Sequence, residues 1–173
     1  EMCIRDSSYN FQNWYPSVEY ETNNTVKNVG IFDLTPFSKF ELKSEKAHQE
    51  LQKLCTSNIK NEFGKCTYTH MLNEDGGIEI DLTVVCVGEN HFRLISSAAT
   101  RERDKFHIKK YLSEDIELKD VTDELCVFGL FGPNSRSLMQ MLSETDFSNK
   151  NFKFGHSKNI KINETDVWVQ RLS

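Results

Sequence analysis

Cys66-Thr-Tyr-Thr-His-Met-Leu-Asn-Glu-Asp-Gly-Gly-Ile-Glu-Ile-Asp-Leu-Thr-Val-Val-Cys-Val87 decides how this 173-residue chain folds. Two strand-like runs, residues 66–72 and 78–87, flank the turn-forming stretch 73–77. An Asp-Gly pair between such runs is a strong hairpin signal, because glycine supplies the positive φ that a primed turn needs. In the second run Ile78, Ile80, Leu82, Val84 and Cys86 share an apolar face, while Glu79, Asp81, Thr83 and Val85 share the other. Aspartate is depleted in strands, so Asp81 stands out. An even-numbered turn sets His70 opposite Asp81 and Tyr68 opposite Thr83, placing a carboxylate, an imidazole and a phenol on one face. A slip of one residue would scatter them. Two readings stay open: a solvated hairpin face, or a site that needs a cavity above it.

Working outward, residues 18–28 and 44–55 read as helices, the second with Ser44 as cap and Ala47, Leu51, Leu54 and Cys55 at helical spacing. Residues 30–42 have strand character broken at Pro36, with Phe40 and Leu42 alternating with Lys39 and Glu41 as in a half-buried strand. A strand at 92–96 follows the hairpin. Then come a helix at 100–112, strands near 116–121 and 125–130, a helix at 133–142 with Pro133 in its first turn, and a strand at 167–172. Short hairpin strands mixed with four helices predict an α+β fold, a mostly antiparallel sheet with flanking helices.

A chain of this length can bury about 70% of its unfolded surface and needs neither disulfides nor metal to fold. Lys and Arg number 21 against 26 Asp and Glu, a net charge of −5, which argues against a nucleic-acid partner. The longest apolar runs are only a few residues, so no membrane helix is expected. Twelve Phe and two Trp exclude a disordered chain. Cys3, Cys55, Cys66, Cys86 and Cys126 form no CxxC pair and read as buried free thiols in a reducing compartment, with Cys55, Cys66 and Cys86 on apolar faces.

Other motifs carry less. Arg101, Arg103, Lys105, Lys109 and Lys110 are interleaved with Glu102 and Asp104 at helical period, which reads as a solvated helix face. The five His show no HxH or HExxH spacing, so no metal site is expected. No GxGxxG or P-loop pattern is present. Gly132-Pro133-Asn-Ser-Arg136 reads as a helix start, or as a cradle for an anion.

Three further stretches carry a resemblance: Gly30-Ile-Phe-Asp-Leu-Thr-Pro-Phe-Ser-Lys-Phe-Glu-Leu42, Tyr68-Thr-His-Met-Leu-Asn73 and Gly76-Gly-Ile-Glu-Ile-Asp-Leu-Thr-Val84. The chain resembles the folate-binding aminomethyltransferase family typified by the glycine-cleavage T-protein. Within it the chain looks most like the C-terminal half of sarcosine and dimethylglycine dehydrogenases, which Leu130-Phe-Gly-Pro-Asn-Ser-Arg136 and Asp146-Phe-Ser-Asn149 also fit. The likeness runs from about residue 13 to the end. Residues 1–7, Glu-Met-Cys-Ile-Arg-Asp-Ser, instead look like the translation of a sequencing adapter, so residues 8–173 are taken as the N-terminal part of the domain.

The resemblance implies a central channel holding tetrahydrofolate, with the family's hallmark carboxylate falling on Asp81. In that role a carboxylate would orient the folate amine, accept its proton and stabilise a neighbouring iminium. Phe37, Tyr68, Thr83, Val85 and Ser97 match positions that line the folate pocket. Where T-proteins commonly carry two successive Asp, this chain has Ile80-Asp81, and an Asn frequent among them is Ser97 here. His70 inherits no role. The family continues beyond residue 173 into a Tyr-x-Gly-Glu segment whose Glu helps recognise the pterin. The implied parent is a flavin-dependent N-methylamine dehydrogenase, in which an N-terminal FAD domain oxidises a small N-methylamine and this domain captures the carbon. A free-standing aminomethyltransferase and a non-catalytic folate-binding or assembly module are the alternatives. The implied location is the cytoplasm, or the mitochondrial matrix in a eukaryote.

Overall fold

The computed structural model describes residues 12–173, so Cys3 and the stretch read as adapter-derived lie outside the described residues. Helix α1, Tyr15–Lys27, carries Pro16 in its first turn, where the missing N–H breaks no helical bond. It leads into β1, Gly30–Asp33, and then β2, Ser38–Lys43, so the interruption at Pro36 falls between two strands. Helix α2 spans Ala47–Leu54 and buries Ala47 and Leu51; Lys46 holds the N-cap position, and Ser44 just before it accepts the Lys46 N–H on its Oγ and the Ala47 N–H on its carbonyl. Strands β3, Cys66–Leu72, β4, Ile78–Gly88, and β5, His91–Ser96, follow. Helix α3 is Arg101–Tyr111, and β6, Leu118–Asp120, and β7, Phe128–Phe131, come next. Helix α4 is Ser135–Leu142, which puts Pro133 just outside it rather than in its first turn. Strands β8, His156–Ile162, and β9, Thr165–Arg171, close the chain, and only the second was expected.

The five-stranded sheet has the order β3-β4-β5-β2-β6, with every neighbouring pair antiparallel. This is the α+β architecture that the strand pattern predicts. The expected hairpin forms, but its turn differs. Gly76 alone in the turn takes a positive φ (81°), and its N–H donates to the Asn73 carbonyl, so the turn is not a primed one. The Asn73 side chain accepts the N–H groups of Asp75 and Gly77. A bulge at Glu79, where Leu72 pairs with Ile78 but Met71 with Ile80, compensates for the odd-numbered loop.

One sheet face carries Phe40, Leu42, Ile80, Leu82, Val84, Cys86, Phe92 and Leu94, packed against Ala47 and Leu51 of α2 and Ile108 of α3. Ile78, at the bulged end, is exposed instead. A second, smaller cluster joins Phe147, Phe152 and Ile160 under the β8–β9 hairpin. Strands β1 and β7 form a separate two-stranded sheet. Gly132 is held at φ 113° with its Cα face against the carbonyls of Thr25 and Asn28, a position where a side chain has no room. Two linkers cross side by side between the sheets, tied by the Leu34 N–H donating to the Val127 carbonyl at 2.9 Å. No helix among the described residues is long and apolar enough to cross a membrane.

Candidate functional site

Helices α2 and α3 cover one face of the sheet, and the candidate residues fall on the other. Strand alternation puts Asp81, Thr83 and Val85 there. Across β3, His70 pairs with Asp81 and Tyr68 with Thr83, as the sequence reading requires. Across β5, Thr83 pairs with Ile95, and Ile95 in turn pairs with Lys39 of β2. Tyr68, Thr83, Ile95 and Lys39 therefore form one row across four strands. Ser97 follows the end of β5 and Phe37 precedes β2, so both sit at the rim of this face.

Asp81 is exposed, and Tyr68 is 61% exposed beside it. The Tyr68 hydroxyl lies 3.4 Å from His70 Nε2, with the two rings edge to face. Interaction with the Asp81 carboxylate holds the Tyr68 phenol above its ordinary range, since a phenolate there would face a like charge. Phe37 is 39% exposed at the rim. Ser97 is exposed and starts a short 3-10 turn: its Oγ accepts the Ala99 N–H at 3.3 Å, and its carbonyl accepts the Ser38 hydroxyl at 2.9 Å. Five of the six sequence-derived positions thus line an accessible surface. Val85 shares their face but is fully buried, so it does not reach the accessible surface that the other five line.

Three features escaped the sequence reading. Lys39, expected at the wet side of a half-buried strand, is only 1% exposed, because β2 is internal to the sheet and the 34–37 segment covers it. Next to it, Glu41 accepts two hydrogen bonds from Arg93 (2.9 and 2.7 Å) and faces His91 Nε2 at 3.0 Å. Burial alone would raise the Glu41 carboxyl, but Arg93 and His91 outweigh it and hold it below the usual range. On α3, Asp104 is buried rather than solvated; its Oδ2 accepts the hydroxyls of Ser96 (2.7 Å) and Thr100 (2.8 Å), and its Oδ1 accepts no hydrogen bond among the described residues, with Arg103 Nε 3.9 Å away. The rest of the basic stretch behaves as a charged helix surface: Arg101 pairs with Asp120 and Asp123, and Lys105 with Asp120. Cys126 is exposed and Cys66 partly so, which corrects the expectation of uniformly buried thiols.

The chain is thus an α+β domain in which Asp81, Tyr68 and Thr83 share the face of an antiparallel sheet opposite helices α2 and α3. The chain belongs to the GCVT N-terminal domain family, which it matches over residues 4–173. It is 33% identical over 169 residues to the mitochondrial dimethylglycine dehydrogenase of Rattus norvegicus, covering 96% of this chain and 20% of that protein. It is 30% identical to the 4-methylaminobutanoate oxidase (formaldehyde-forming) of Paenarthrobacter nicotinovorans, covering 97% of this chain and 20% of the relative. The aminomethyltransferase of Anoxybacillus flavithermus is 28% identical over 91% of this chain and 43% of its own length. The chain thus spans about a fifth of the first two relatives and under half of the third. Among solved structures, glycine cleavage aminomethyltransferase T of Bartonella henselae superimposes with a TM-score of 0.70 at 21% identity, over 80% of this chain and 37% of that one. The heterotetrameric sarcosine oxidase of Corynebacterium sp. U-96 gives a TM-score of 0.65 at 13% identity, over 91% and 80%. Both share the fold. The chain is an aminomethyltransferase-type domain related to dimethylglycine dehydrogenase.

Proposed function

We propose that the Asp81 face binds tetrahydrofolate and positions it to accept a one-carbon unit, within a flavin-dependent dehydrogenase of a small N-methylamine such as sarcosine or dimethylglycine. The observation that carries this reading is an exposed carboxylate, Asp81, with Tyr68 and His70 beside it on the sheet face opposite α2 and α3. The residues suit a reduced pterin. Phe37 and Tyr68 offer flat apolar surfaces, Thr83 and Ser97 offer hydroxyls, and Asp81 offers an acceptor for ring N–H groups.

Bound there, tetrahydrofolate supplies the amine nitrogens that take up the carbon. Asp81 accepts an N–H of that amine, orients it and takes its proton as carbon is transferred. Its negative charge also favours a cationic centre held close by. Tyr68 orders the carboxylate from one side, and Ser97 borders the rim. Covering this face with further polypeptide would exclude water and protect a hydrolysable one-carbon donor. In the full-length protein an FAD-bearing domain would generate that donor. It would act in the cytoplasm or, as the names of the mammalian relatives state for them, in mitochondria.

The bacterial aminomethyltransferases, 28–30% identical over more than nine-tenths of this chain, favour a second reading, a free-standing aminomethyltransferase. A module that binds folate without transferring carbon is the third. Asp81→Asn in the full-length protein separates catalysis from binding. Folate should still bind while methylene transfer falls at least about tenfold. Unchanged transfer with intact binding leaves the non-catalytic module.

A further inference from the structure

Lys39 is a buried cation without a counter-ion in contact among the described residues. Its ammonium donates to the carbonyls of Thr35 (2.8 Å) and Phe37 (2.7 Å), both in the linker from β1 to β2. The carboxylates nearest in influence, Asp123 and Asp120, are bonded to Arg101 instead. Burial holds the ammonium below the ordinary lysine range, so this placement has a cost. The backbone of Lys39 is tied as well. Its N–H donates to Thr122 Oγ1 at 3.0 Å, and its carbonyl accepts the Val121 N–H at 2.9 Å. The second linker, from β6 to β7, is bonded to the first where the Val127 N–H donates to Thr35 Oγ1 at 3.1 Å. Lys39 is therefore the point at which both linkers and the folate-facing row of the sheet meet.

We propose that Lys39 is a positioning residue: its ammonium clamps the 34–37 segment and so holds Phe37 as a fixed wall of the ligand face. Phe37 precedes β2 directly, and its own carbonyl is one of the two that the ammonium grips. Without the charge, those carbonyls lose their donor and the segment is anchored only by backbone bonds and those at Thr35. The proposal rests on the folate-site reading for its consequence, though not for the clamp itself.

The test uses Lys39→Met, Phe37→Leu and the double variant in the full-length protein, with two readouts. The first is hydrogen exchange at the amides of Leu34, Phe37 and Val127, each of which donates to a bond in the two linkers. Lys39→Met should speed their exchange at least about tenfold while the amides of Leu82 and Leu94 stay protected. The second is the dissociation constant of 5-formyltetrahydrofolate, a stable probe. Lys39→Met should weaken it about tenfold alone but less than about twofold in the Phe37→Leu background, because the two residues act as one unit. Equal weakening in both backgrounds overturns the assignment, as does unchanged linker exchange. If the unmutated protein binds no folate probe, the folate reading fails, and linker exchange alone decides the clamp. Should Lys39→Met not fold, Lys39→Gln is expected to give the same pattern, since the shorter neutral side chain cannot span both carbonyls.

Discussion

His70 and Asp81 are partners across the β3–β4 hairpin, and the Tyr68 hydroxyl lies beside both. The relationship depends on the bulge at Glu79, which restores the register that a five-residue loop would otherwise break. The carboxylate keeps the phenol protonated to higher pH. Asp81→Asn should therefore lower the Tyr68 ionisation toward the ordinary value of about 10. Ultraviolet titration of the phenolate, with Tyr68→Phe identifying the transition, measures it. An unmoved transition means that the two groups do not interact.

Asp120 ties α3 to the edge of the sheet through Arg101 at 2.9 Å, and accepts the Thr122 N–H at 3.1 Å. Burial alone would raise its carboxyl, but Arg101 and Thr122 prevail and depress it strongly. A depressed carboxyl contributes stability that is fully present above its unfolded value, about 3.9, and is lost as pH falls below it. Asp120→Asn should cost about 1.5–3 kcal/mol at pH 7, with the gap from wild type narrowing below about pH 4. Urea denaturation across this range gives both numbers.

Asp104 uses one oxygen for two hydroxyls, while the other accepts no hydrogen bond among the described residues and has only Arg103 Nε at 3.9 Å. An amide presents the same single acceptor, so Asp104→Asn should fold with stability within about 1 kcal/mol of wild type. Asp104→Ala removes the acceptor from a buried serine and should cost about 2–3 kcal/mol. Equal losses in the two variants would show that the charge, not the acceptor, matters.

Thiol reactivity should follow burial. Cys55 is buried and its thiol is pushed up to about 12, and burial raises Cys86 too. Iodoacetamide at pH 8 should label exposed Cys126 well before Cys55 or Cys86, which should react only on unfolding. Peptide mapping by mass spectrometry distinguishes the sites. Early labelling of Cys55 would mean that α2 opens readily from the sheet.

Local pattern was enough for much of the architecture. The alternation through 78–87, the turn residues 73–77 and the helical spacing of Ala47, Leu51 and Cys55 each specify a local geometry on their own. Cross-strand pairing then follows, and with it the meeting of Tyr68, His70, Thr83 and Asp81, because a buried face admits only one register. Strand β8 escaped, since His156-Ser-Lys-Asn-Ile-Lys-Ile162 is mostly polar and gains its partners from Thr165–Arg171.

Burial at the site was decided by tertiary structure. Lys39 alternates with Phe40 as any surface lysine in a half-wet strand would, yet the preceding 34–37 segment folds over it, tied there by the distant linker through Val127. Asp104 sits among solvated charges in sequence but turns inward to the hydroxyls of Ser96 and Thr100. Sequence period reports which side of an element a residue occupies. What covers that side depends on segments far away along the chain, and only packing brings them together.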